Sequence, residues 1–117
     1  MLSTLTKAFL LATALATGTT ALVTAEFQRY FAAECSNPLG GASVAETYCV
    51  NIEDFPTLSY DAYVTGGECE DPATSPLITI YGGSSCESDP IASFTVGAEA
   101  QCIEADITIR SLTLACV

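Results

Sequence analysis

The sequence has no histidine and no tryptophan, and only three of its 117 residues are lysine or arginine. The absence of histidine excludes Ser-His-Asp and Cys-His nucleophiles, histidine-ligated zinc and ribonucleases that use imidazole as acid or base. The 14 acidic residues give a formal net charge of −11, and such a surface repels phosphate backbones and anionic lipids. We therefore expect neither a nucleic-acid partner nor a cationic membrane-disrupting activity.

The composition is that of a folded chain of modest size. Half of the residues are hydrophobic and 15% are charged, which indicates a globular protein rather than a disordered one. The length suits one domain and not two.

The first 25 residues have the features of a secretory signal. Lys7 precedes the apolar run AFLLATALA, which is too short to span a bilayer. Val23 and Ala25 are small or apolar residues at the positions that a signal peptidase reads. We predict a signal peptide over residues 1–25, cleavage after Ala25, and a mature domain over 26–117 that is secreted and not held in a membrane.

All six cysteines lie in the predicted mature domain, and in an oxidising compartment an even number predicts three disulfides. There is no CxxC pair, which disfavours a zinc site. Each bridge that closes a loop of this size contributes about 3 kcal/mol. Spacing alone does not choose among the fifteen pairings that six cysteines allow.

The hydrophobic pattern has a period of two, which predicts half-buried β-strands. Two stretches, 58–65 and 103–110, alternate apolar and polar residues, with Leu58 on the apolar side of the first. Two shorter runs, LITIY (77–81) and IASFTV (91–96), are rich in β-forming residues. After Ile109 the phase slips, and we predict a β-bulge near Arg110 and Ser111. The fold expected is an all-β, disulfide-linked antiparallel sandwich.

The mature chain also repeats itself over residues 26–69 and 77–117. The order aromatic, cysteine, proline-containing turn, strand, cysteine, aspartate, serine, strand, cysteine occurs in both segments. One such unit cannot bury its own hydrophobic face, so we expect the two to pack together as one domain.

This repeat resembles the Greek-key motif of the βγ-crystallins, two of which form one domain in that family. Some members bind calcium through an acidic or amide pair, two spacer residues and a Ser/Thr-Ser pair. The matching segments here are 54–59 (DFPTLS) and 106–111 (DITIRS). The resemblance implies a calcium site with Asp54 and Ser59 in one repeat and Asp106 and Ser111 in the other, although both segments lack the second acidic residue. No other cofactor is expected.

The repeat also predicts a disulfide pattern, since equivalent cysteines should have equivalent partners. The first two cysteines of each segment then bridge within it, Cys35 with Cys49 and Cys86 with Cys102. Cys69 and Cys116 remain and pair between the two closing strands.

A signal peptide, a short acidic chain and six cysteines are similar to the small secreted cysteine-rich proteins of fungi, many of which are effector candidates. We expect a monomeric, non-enzymatic interaction protein whose partner is an extracellular protein or a cell-wall component. Two alternatives are an inhibitor or toxin directed at an extracellular enzyme and a calcium-binding structural protein. Catalysis is not expected, since no pair of carboxylates is favoured by its spacing and the only lysine lies in the predicted signal.

Overall fold

The computed structural model describes residues 21–53 and 55–117; the first 20 residues of the predicted signal and Asp54 lie outside the described part. Eight strands follow one another along the chain, with a short 3₁₀ turn at Ser84–Cys86 between the fifth and the sixth. The strands are β1 (Thr24–Ala32), β2 (Ser36–Ala45), β3 (Cys49–Asn51), β4 (Pro56–Gly66), β5 (Pro76–Tyr81), β6 (Pro90–Thr95), β7 (Ile103–Thr108) and β8 (Ser111–Cys116). Within the described ranges, no helix is long and apolar enough to cross a membrane.

The strands form two four-stranded sheets, which confirms the all-β sandwich. The first sheet has the order β2-β1-β4-β7 and the second has the order β3-β8-β5-β6, with antiparallel pairing of neighbouring strands. In the N-terminal half (β1–β4) and in the C-terminal half (β5–β8), the third strand leaves its own half and joins the sheet of the other. The two halves therefore have the same connectivity and exchange their third strands.

The strand registers are also equivalent in the two halves. Tyr30 of β1 pairs with Ser59 of β4, and Tyr81 of β5 pairs with Ser111 of β8. In each hairpin the register shifts directly before the tyrosine, between Arg29 and Tyr30 in one half and between Ile80 and Tyr81 in the other. The internal repeat seen in the sequence is thus present in the backbone pairing.

The disulfide prediction is wrong for two pairs. Cys35 bridges Cys102 and Cys49 bridges Cys86, with Cα–Cα distances of 6.0 and 6.2 Å. The predicted Cys35–Cys49 and Cys86–Cys102 bridges do not form, because β3 and β7 cross to the opposite sheet and carry the second cysteine of each half away from the first. The two observed bridges are still equivalent, since each joins the hairpin turn of one half to a cysteine at, or directly before, the start of the third strand of the other. The third pair, Cys69–Cys116, agrees with the prediction.

The core between the sheets is formed by alternate residues of the strands. It includes Phe27 of β1, Ile78 and Ile80 of β5, and Leu112 and Leu114 of β8, all at 0% exposure. The alternation predicted for β7 is present, but Leu58 is exposed and not buried, because the pairing of β4 with β7 shifts register between residues 57 and 59.

The phase slip after Ile109 is not a bulge, which corrects the prediction. β7 ends at Thr108 in the first sheet and β8 begins at Ser111 in the second. The opposite parity of Leu112 and Leu114 arises because the chain changes sheets there, so that the side facing the core is reversed.

The predicted boundary after Ala25 does not coincide with the start of the β domain. Val23 and Ala25 are fully buried, and Thr24 pairs with both β2 and β4. Val23 also exchanges hydrogen bonds with Glu46, whose backbone N–H donates to the Val23 carbonyl (2.9 Å) and whose carboxylate accepts from the Val23 N–H (3.2 Å). Residues 23–25 are part of the sandwich, so the domain includes residues before Glu26.

A chain that begins at Glu26 is expected to be less stable than one that begins at Ala21. Burying a valine side chain contributes about 1.5–3 kcal/mol, and the shorter chain loses this contribution together with the hydrogen bonds to Glu46. Urea unfolding of the two oxidised proteins measures the difference. Equal unfolding midpoints would show that residues 21–25 are dispensable and that the domain begins at Glu26 after all.

Candidate functional site

The two serines predicted as calcium ligands hold the hairpin turns of the two halves. The Ser59 hydroxyl accepts from the Cys35 N–H (2.9 Å) and donates to the Ala32 carbonyl (2.6 Å). The Ser111 hydroxyl accepts from the Cys86 N–H (2.9 Å) and donates to the Gly83 carbonyl (2.6 Å). Both serines are fully buried. These matched contacts give each serine a structural role in its own half.

The remaining predicted ligands are not brought together with them into a described cluster. Asp106 is an exposed residue of β7, and Asp54 lies outside the described residues. Among residues 21–53 and 55–117 there is no group of three or more Asp, Glu or Cys side chains that could hold a metal ion. The described geometry therefore gives no support to the implied calcium site.

The third strand of each half also supports the turn of the other half. The Glu104 carboxylate of β7 accepts from the Glu34 N–H (2.9 Å), and the Asn51 side chain of β3 accepts from the Ser85 N–H (2.6 Å). These contacts lie near the Cys35–Cys102 and Cys49–Cys86 bridges. The sequence repeat did not reveal Asn51 and Glu104 as equivalent, since one is an amide and the other an acid.

The second sheet contains no charged residue. Its strands β3, β5, β6 and β8 hold no Asp, Glu, Lys or Arg, although the chain as a whole has 14 acidic residues. The first sheet, in contrast, carries charges on β1, β4 and β7. The charge is therefore segregated by sheet.

The outer face of the second sheet is formed by hydroxyl-bearing and apolar side chains. Ile78 and Ile80 of β5 point into the core, so Thr79 between them points outward. Thr79 pairs with Thr113 of β8 on one side and Ser93 of β6 on the other, which gives a row of hydroxyls across three strands. Neighbouring strands lie about 4.8 Å apart, so the row has a regular spacing. Leu77, Ala115 and Thr95 form the adjacent row.

Tyr48, Tyr60 and Tyr63 differ in their exposure to solvent. Tyr60 is buried between Phe27 and Phe94, with ring centroids 5.5 and 5.4 Å away, and this burial raises its pKa. Tyr48 and Tyr63 are exposed. The tyrosines thus divide between the core and the surface.

A cleft of about 670 Å³ lies where β1, β2 and the end of β3 meet. Arg29 and Arg110 both line it, together with Gly40, Glu53 and Phe55. Arg29 is only 6% exposed; its guanidinium donates to the Glu53 carbonyl (2.6 Å) and lies 6.0 Å from the centre of the Phe55 ring. Loss of hydration on burial lowers the pKa of Arg29, and the nearby Glu53 carboxylate opposes this shift. The sequence pattern predicted no binding role for either arginine.

No family model, curated protein or solved structure matches the chain.

Replacing Ser59 by alanine is expected to destabilise the domain by about 1–3 kcal/mol, because a buried N–H and a buried carbonyl each lose a hydrogen-bond partner. Ser111→Ala should have a similar effect, since its contacts are equivalent. Ser43→Ala is the matched control: its exposed hydroxyl donates to Glu26, and its loss should cost less than about 0.5 kcal/mol.

Thermal unfolding with and without added calcium separates a structural serine from a metal ligand. Calcium should leave the melting temperature of the wild type unchanged. A calcium-dependent rise that disappears in Ser59→Ala or Ser111→Ala would restore the liganding role implied by the crystallin resemblance.

Proposed function

We propose that this protein is a secreted, non-enzymatic binding protein, effector-like in its setting, that contacts its partner through the outer face of the second sheet. The observation that carries the proposal is the absence of charge from that sheet in a chain whose net charge is −11. Depletion of charged residues is characteristic of the core of a binding interface.

Neutral polysaccharide is the partner class that this face fits best. A protein partner recognised through charge would need complementary charges, and the face offers none. A neutral sugar polymer presents hydroxyl groups and apolar C–H faces, which match the hydroxyl row of Ser93, Thr79 and Thr113 and the neighbouring Leu77. Cell-wall glucans and chitin have this chemistry.

The extracellular setting is supported by the three disulfides. Such bridges persist in oxidising compartments and are rare in the cytosol. All six described cysteines are bridged, and no free cysteine is present among them.

We further propose that the domain is a double Greek key of the βγ-crystallin type. The support comes from two equivalent four-stranded halves, each with a tyrosine at or near the end of its first strand and a serine at or near the start of its last. Fold alone does not indicate a function, so the binding proposal depends on the sheet surface and not on this likeness.

Sedimentation with insoluble neutral polysaccharides tests the proposed binding face. The wild-type protein is expected to sediment with chitin or a β-glucan, and Thr79→Glu should abolish this by placing an unpaired carboxylate in the contact. Thr108→Glu makes the same change at an exposed position of the first sheet and should bind like the wild type.

Two results would contradict the proposal. One is a Thr79→Glu variant that binds as well as Thr108→Glu. The other is a wild-type protein that binds no neutral polysaccharide but forms a dimer that Thr79→Glu dissociates, since the face would then serve a second copy of the chain.

A further inference from the structure

Both arginines of the described chain line one cleft. Lys7, the third basic residue, lies in the predicted signal, so Arg29 and Arg110 carry all the positive side-chain charge between residues 21 and 117. Their meeting in one cleft needs an explanation from structure or from function.

The internal repeat allows the structural explanation to be examined. Arg29 pairs with Gly40 and Tyr60, and at the equivalent position of the C-terminal half Ile80 pairs with Ala92 and Leu112. Ile80 is fully buried in the core. The same backbone arrangement is therefore built with an aliphatic residue where the N-terminal half has Arg29.

The second arginine also has an aliphatic counterpart in the other half. Arg110 directly precedes Ser111, as Leu58 directly precedes Ser59, and the two serines hold their turns in the same way. The fold thus tolerates leucine where the cleft has Arg110. Neither arginine is required by the architecture that the two halves share.

Burying a guanidinium also has a cost that the aliphatic residues avoid. Arg29 extends from the core-facing side of β1, beyond Phe27, and is only 6% exposed. Removing a charged group from water is unfavourable unless an opposite charge or hydrogen bonds compensate for it. In this structure the Glu53 carbonyl accepts from the guanidinium and the Glu53 carboxylate lies nearby, so part of this cost is already compensated. A carboxylate bound in the cleft would add a further opposite charge, since a guanidinium has five N–H donors and binds carboxylates through paired hydrogen bonds.

The other walls of the cleft suit a sugar ring. Phe55 is 41% exposed, and an aromatic face of this kind packs against the C–H groups of a sugar. Gly40 has a φ of 145° and open space where a side chain would lie, so the cleft is not filled from that side. Glu53 also lines the cleft, which favours a ligand with a single negative charge over a phosphate.

We propose that this cleft binds the carboxylate of a uronic-acid sugar between Arg29 and Arg110, with the sugar ring against Phe55. The ligand is an acidic sugar unit, either free or within an acidic polysaccharide. This site is separate from the outer face of the second sheet, and it does not depend on the binding of neutral polymer there.

Calorimetric titration with a galacturonic-acid trimer, its methyl ester and galacturonic acid itself tests the proposal. The trimer should bind, and the uncharged ester should bind about tenfold more weakly or less, since hydrogen bonds to charged groups contribute strongly. Binding of the monomer as tight as that of the trimer would assign the site to free sugar acids, whereas tighter binding of the trimer would assign it to a polymer. A tetra-aspartate peptide should bind much more weakly than the trimer, because it offers no ring for Phe55.

The residues at the equivalent positions of the two halves indicate which substitutions to test. Arg110→Leu and Arg29→Ile introduce the residues found at the equivalent positions, so each should keep the wild-type fold and weaken trimer binding about tenfold. Thr79→Glu is the control, which should abolish neutral-polymer binding and leave trimer binding unchanged. Because Arg29→Ile alters a buried site, the unfolding midpoint of this variant is measured as well. If the variant is unfolded, Arg110→Leu and the methyl ester decide the result. Equal binding of acid and ester, equal binding of the peptide, or unchanged affinity in Arg110→Leu would overturn the proposal.

Discussion

A left-handed turn after the first strand of each half is the constraint on which the rest of the fold depends. Glu34 and Cys35 in one half, and Ser85 and Cys86 in the other, have φ values between 52° and 61°. Two successive non-glycine residues in this region cost about 1–2 kcal/mol each. A fully buried serine hydroxyl compensates in each half by bonding to both sides of the turn.

The turn then determines how the two halves are joined. Each turn presents its cysteine to the third strand of the opposite half, where the disulfide forms. A side chain from that same strand, Glu104 or Asn51, accepts from the turn residue just before the cysteine. Each half thus supplies the covalent and polar support for the other half's strained turn. Neither half is complete by itself, which is the physical reason why the repeat forms one domain.

The exchange of third strands also arranges the charges. β7 carries Glu104 and Asp106 into the first sheet, while the uncharged β3 goes to the second. If β7 stayed with β5, β6 and β8, the second sheet would contain two acidic residues. The absence of charge from the strands of the second sheet therefore depends on this exchange of strands.

The repeat gives both arginines of the proposed binding cleft a counterpart in the other half. At equivalent core positions both halves can carry hydrophobic residues, as with the buried Tyr60 and Leu112. Arg29 corresponds to the aliphatic Ile80 of the other half, and Arg110 corresponds to Leu58. Both arginines line the same cleft. Each arginine can therefore be compared, within a single chain, with an aliphatic residue that occupies the equivalent backbone position.

Local patterns in the sequence were sufficient for β4, β5, β6 and β7 and for the existence of the repeat. The alternation over 103–109 predicted β7, and the matched Tyr-x4-Cys and Asp-x4-Ser spacings predicted equivalent halves, because side-chain periodicity and turn residues depend on near neighbours in the chain. The partners of Cys35 and Cys86, the place of Val23 in the core and the convergence of the two arginines were decided only by the tertiary structure. Each depends on strands far apart in sequence, and the crossing of β3 and β7 between sheets leaves the local alternation of those strands unchanged.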